Sequence, residues 1–220
     1  QEDVWQDNRW TRCMDAMRTA ELRWGAETPL LIHSDSRLID SDGKVLGESF
    51  MAHQGWDKQA TSLPQLLVQN NVTGCTVLMN AALRALVVKY GDPSKMFMHD
   101  WFLAQTAAAF GRVVCVEEPL VDYRQHGDNC MGASADSLTD RGVKALSKRQ
   151  KGKARMKLTY EVARSFAGMY RGKLMGEAER TVSTYIALES KWKLARMAGM
   201  QRGGYRMQSF VTRVGQLFFC

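Results

Sequence analysis

The chain has 220 residues, room for one ordinary domain or one domain with an appendage. Hydrophobic residues make up 45% and charged residues 24%, which excludes wholesale disorder, and no run of about 18 apolar residues exists that would span a membrane. The five cysteines are an odd number with no C-x-x-C spacing, which argues against a disulfide scaffold or a thiolate zinc site and fits a reducing cytosol. The net charge of +7 hides two opposite halves. Residues 1–140 hold 12 Lys+Arg against 19 Asp+Glu, and residues 141–220 hold 18 against 4. An acidic body with a basic tail suggests a body that handles small molecules or metals and a tail that meets something anionic, either a membrane surface or nucleic acid.

In chain order, residues 8–23 are rich in helix formers and stop at Trp24-Gly25. Pro29-Leu30-Leu31-Ile32-His33 has the length of a buried strand. Residues 37–46 read as a hairpin around the Asp42-Gly43 turn. Residues 62–68 suit a short helix with Ser62 as cap and Pro64 in its first turn. Residues 73–79 read as a strand, after which Asn80 caps a helix over 81–90 that stops at Gly91 and Pro93. Residues 100–110 are helical and close at Gly111, and 112–116 form a β-branched strand that Pro119 ends or marks as an edge. This alternation predicts an α/β sheet domain over 1–140. Residues 132–140 are small and polar, a linker or loop, and beyond them the pattern is helical only: 153–170, 175–197 and 205–219.

Four clusters carry candidate chemistry. Glu2-Asp3, followed by Trp5 and Asn8-Arg9, offers carboxylate oxygens to a hard divalent cation, or is a solvated acidic chain end. Met98-His99-Asp100-Trp101 opens a helix. Its carboxylate is either a general base aimed at a substrate hydroxyl or an ordinary N-cap, and the helix terminus is expected to lower its pKa. Tyr123-Arg124-Gln125-His126-Gly127-Asp128-Asn129 gathers groups suited to metal and phosphate, or is a polar turn with a structural histidine. His33-Ser34-Asp35 is a further candidate that a strand end explains equally well.

Taken together with Leu31-Ile32-His33-Ser34-Asp35 and Gln69-Asn70-Asn71-Val72-Thr73-Gly74-Cys75-Thr76, these motifs follow one another in the order of a known family. Over about residues 1–132 the chain resembles family 2 glycosyltransferases, in particular the bacterial rhamnosyltransferase-like branch. The resemblance implies a GT-A fold, of which residues 1–140 would be the C-terminal, acceptor-side half, with 141–220 as a basic helical tail. The family's first metal-motif carboxylate and its nucleotide-binding strands would precede Gln1, so the chain reads as the portion from the metal motif onward. Glu2 would be the second acidic member, one methylene longer than the usual Asp.

By the same resemblance Asp100 matches the catalytic base, with His99 in place of the first member of its acidic pair. Glu2, Asp3 and His126 would hold Mg²⁺ or Mn²⁺. Trp5, Thr73, Gly74, Cys75, His99, Trp101, Arg124 and Asn129 would line the donor and acceptor sites. The implied reaction is inverting transfer of a sugar, rhamnose among the candidates, from a nucleotide-diphosphate donor to a saccharide or lipid-linked acceptor in cell-surface polysaccharide synthesis. The expected location is cytoplasmic, peripheral on the inner face of the membrane, where the tail would meet anionic lipid or instead pack on the body. The competing reading is an inactive fragment, or a module that binds nucleic acid or another anionic surface. The tail aromatics match no basic-aromatic nucleic-acid motif, so no nucleic acid is expected.

Overall fold

The computed structural model describes residues 3–125 and 148–219. Strand β1 (Val4–Trp5) leads into helix α1 (Arg9–Trp24). That helix buries Arg9, Cys13, Met17 and Ala20, a stripe at helical spacing, and ends at Gly25 with φ of 92°. Strand β2 (Leu30–Ile39) is buried along almost its whole length. It turns through an Asp-Gly hairpin into β3 (Val45–Gly47), followed by α2 (Phe50–Gln54) and α3 (Leu63–Val68). In α3, Ser62 and Gln65 form a capping box and Pro64 lies in the first turn. Strand β4 (Leu78–Met79) and helix α4 (Ala81–Tyr90) follow, with Asn80 accepting the Leu83 N–H. Helix α5 (His99–Phe110) feeds β5 (Arg112–Arg124). The described remainder is α6 (Lys148–Met169), α7 (Gly176–Leu188), α8 (Lys193–Arg202) and α9 (Phe210–Phe219).

The chain is therefore α/β with a mixed sheet in the order β1-β5-β2-β3, and β4 pairs with β2. Strands β2 and β5 are parallel, whereas β1, β3 and β4 run antiparallel to their neighbours. Because side chains alternate along a strand, Leu30 and Ile32 of β2 pack with Met17 and Ala20 of α1, while Leu31 faces the opposite way onto Leu103, Ala104 and Ala107 of α5. Helix α5 is buried nearly all round, since its other side meets the later helices: Phe102 shares a cluster with Leu63, Leu67, Tyr160, Phe166, Tyr170 and Tyr185.

Three sequence expectations are corrected, the first being the single helix over 175–197, which is broken after Leu188 into α7 and α8. Residues 73–79 are not one strand. Gly74–Thr76 is a 3₁₀ turn, closed by the Thr76 N–H and hydroxyl donating to the Thr73 carbonyl, and only Leu78–Met79 joins the sheet. Pro119 does not end β5, and since β1 pairs that strand only at Val121 and Asp122, Pro119 has a described strand neighbour on the β2 side alone. The strand runs on to Arg124, and Pro119, with no N–H to give, sits at the register shift opposite Asp35.

The helices after residue 148 pack into the core. Leu174 and Leu188, apolar positions that an interfacial helix would turn to lipid, are buried there, and Ile186 is partly buried against them. Leu194 and Val214 stay exposed. Among the described residues no helix is long and apolar enough to cross a membrane.

Candidate functional site

Asp100 is the second residue of α5, whose N-cap position is Met98, so it is not the N-cap itself. Its carboxylate accepts the Trp101 N–H at 2.6 Å and the Asn70 side-chain N–H at 3.2 Å, and the Gly74 N–H also donates to it. The residue is only 6% exposed. Burial raises its pKa above the ordinary carboxylate range; His99 and the backbone donors pull the other way and do not prevail. The expected lowering by the helix terminus is therefore overturned, because desolvation outweighs the dipole.

The 3₁₀ turn at Gly74–Thr76 lies directly against this carboxylate. A Cβ on Gly74 would stand 2.6 Å from His99 Nε2 and 3.7 Å from Asp100 Cβ, so a side chain there would have to push the exposed His99 ring aside. On its other side the turn meets Asp3, whose carboxylate hydrogen-bonds the Cys75 thiol. Burial first, then Asp3, pushes that thiol up to about 12, so Cys75 is a proton donor to Asp3 and not a nucleophile. Arg9, buried in α1, donates to the Cys75 carbonyl at 3.0 Å and lies 3.9 Å from the Trp5 ring centroid, while Trp5 itself is 58% exposed. The turn thus connects Asp3, Cys75, Gly74, His99 and Asp100, with Thr73 at its start and Trp5 reached through Arg9.

Two predicted ligand-binding side chains face elsewhere. Trp101 is in the core: its indole N–H donates to the Leu66 carbonyl at 2.5 Å and its ring meets Phe97 edge-on. Arg124 turns its guanidinium to the β2–β3 hairpin, donating to the carbonyls of Asp40 at 2.9 Å and Ser41 at 2.5 Å. Its backbone N–H donates to Asp3 Oδ1 at 3.2 Å, which fixes the orientation of that carboxylate. Glu2, His126 and Asn129 lie outside the described residues. Asp3 suits a hard cation as one oxygen ligand. Among the described residues no three carboxylate, imidazole or thiol groups gather around a common point.

The His33-Ser34-Asp35 cluster has a structural role. Asp35 accepts from the Ser49 hydroxyl at 2.5 Å and the Met51 N–H at 3.1 Å and pairs with Lys58 at 3.0 Å, anchoring α2 to β2. Arg9 and Asn70 are the residues whose site roles sequence reasoning missed. Both lie inside quoted motifs, but their partners, Cys75 and Asp100, are 66 and 30 residues away. Compared with family models, with curated proteins and with solved structures, the chain has no match in any of the three.

Proposed function

We propose that the chain is the acceptor-side half of a GT-A glycosyltransferase of family 2, moving a sugar such as rhamnose from a nucleotide-diphosphate donor to a saccharide or lipid-linked saccharide. The observation that carries the reading is the Gly74–Thr76 turn wedged between two carboxylates that are 97 positions apart, Asp3 and Asp100. Separate motifs of the resemblance thereby meet in one place. Asp100, with a raised pKa and donors that fix its orientation, is a stronger base than a solvated aspartate.

In this reading Asp100 takes the proton of an acceptor hydroxyl while that oxygen bonds to the anomeric carbon and the bond to the diphosphate breaks, inverting the centre. The Gly74 N–H holds the carboxylate, and exposed Trp5 offers a flat apolar face to a sugar ring. A Mg²⁺ or Mn²⁺ held by Asp3 with Glu2 and His126 would neutralise charge on the leaving diphosphate. The chain works in the cytoplasm, peripheral on the inner membrane face, where the basic segment meets anionic lipid. Against the nucleic-acid alternative, five of the tail aromatics, Tyr160, Phe166, Tyr170, Tyr185 and Tyr205, are in the core, which leaves Trp192 as the exposed ring among the described tail residues.

The test is release of nucleoside diphosphate from a panel of nucleotide-diphosphate sugars, with Mn²⁺ and a membrane extract as acceptor source. Release that requires both the acceptor and the metal supports the reading. No release from any donor, by this chain or by a longer chain carrying it together with a donor-binding half, contradicts it.

A further inference from the structure

The sequence holds no acidic residue after Glu189, while Lys191, Lys193, Arg196, Arg202, Arg206 and Arg213 follow it. Glu189 itself pairs with Arg164. Three of these cations border one cavity of 510 Å³ between the end of α8 and α9: Arg202, Arg206 and Arg213. Its floor is rigid. Tyr205, Met200 and Gln216 are 2%, 3% and 5% exposed. Gln216 donates to the Tyr205 carbonyl and accepts the Met207 N–H, both at 2.9 Å, and the Tyr205 hydroxyl donates to the Thr181 carbonyl at 2.7 Å. Arg213 is held by its donation to the carbonyls of Met207 at 3.2 Å and Gln208 at 3.3 Å. Among the described residues no carboxylate pairs with Arg202, Arg206 or Arg213.

Three arginines line one hollow and none has a carboxylate partner among the described residues, so an anion bound there would meet positive charge that no described group offsets. Guanidinium forks match phosphate oxygens in pairs, and a cavity of this size admits a phosphate or diphosphate group with part of what carries it. We propose that this cavity is a phosphate-binding site, taking the phosphate of a lipid headgroup or of a free phosphorylated molecule. It shares no residue with the Asp100 site and does not depend on the glycosyltransferase reading.

The probes are inorganic pyrophosphate, followed by calorimetry, and phosphatidylcholine vesicles with and without phosphatidylglycerol, followed by sedimentation. The full chain is compared with Arg202→Glu/Arg206→Glu and with a control of equal charge change, Lys153→Glu/Arg171→Glu, at exposed positions away from the cavity. The milder Arg202→Gln/Arg206→Gln pair guards against misfolding. The cavity variants should weaken binding about tenfold or more and the control by less than about twofold, in keeping with loss of charge-assisted contacts. Pyrophosphate binding identifies a free ligand, and binding only to phosphatidylglycerol vesicles identifies a headgroup. Equal loss in the cavity and control variants, no loss in the cavity variants, or no binding of either probe overturns the proposal.

Discussion

At Asp100 two physical effects oppose each other, and their outcome sets the chemistry. The N-terminus of α5, His99 and three hydrogen-bond donors favour the carboxylate, yet burial prevails and the pKa rises. A second buried titratable group, His33, tests the same effect on stability. Both of its ring nitrogens are buried in β2 without a hydrogen-bond partner among the described residues, and burial lowers its pKa to about 4 against the opposing pull of Asp35. In the unfolded chain the imidazole titrates near its ordinary value of 6.5. Between that value and about 4, falling pH adds a proton to the unfolded state that the folded state refuses. The contribution is therefore fully present above the unfolded value and is lost on acidification, by up to about 1.4 kcal/mol per pH unit. His33→Leu removes both unpartnered nitrogens and should flatten this loss in urea unfolding at pH 7 and pH 4.5. An equal loss in both proteins would show that His33 is solvated or paired when folded.

At the level of elements, the join between α5 and β5 sets where Asp100 sits relative to the sheet. A Cβ on Gly111 would stand 1.9 Å from the Pro29 carbonyl oxygen, and the Arg112 N–H donates to that oxygen at 2.9 Å, so neither partner can withdraw without loss of the first sheet contact. Gly111→Ala should cost about 2–4 kcal/mol. Gly168→Ala, in α6 with open space around it, should stabilise by roughly 0.5 kcal/mol. Thermal unfolding of the two variants checks both signs, and a neutral Gly111→Ala would mean the join is loose. These elements were legible where local chemistry decides them: Ser62 with Pro64, Asn80, Gly25 and Gly111 mark ends that the structure keeps. Local chemistry misleads where distant contacts decide. Thr73, Thr76 and Val77 have strand propensity, but the approach of Gly74 to His99 and Asp100 bends that stretch into a turn. Pro119 looks terminal until Asp35 opposite it supplies a bulge. Trp101, adjacent to Asp100, reads as part of a binding motif, yet one helical step of about 100° turns it into the core.

Over the whole molecule, the basic segment supports the site as well as carrying charge. Tyr170 stacks on Phe102 at 5.8 Å, meets Phe110 at 4.9 Å and shares a hydrogen bond with Thr106, all from α5. Gln208 bonds Gln69 and the Asp57 N–H, beside the Asn70 that holds Asp100. Residues 1–140 alone should therefore lose cooperative unfolding and bind a hydrophobic dye, since removal of buried aromatics costs about 3–5 kcal/mol each. A cooperative, dye-negative 1–140 fragment would show the helices to be dispensable. It follows that loss of membrane binding on such truncation is uninformative, and point variants are needed. The role of Asp100 as base of a glycosyl transfer is read from donor binding and turnover in the wild type and Asp100→Asn. Turnover should fall about 10²- to 10⁴-fold while affinity for the nucleotide sugar is retained; turnover within about threefold of the wild type would remove Asp100 from that role.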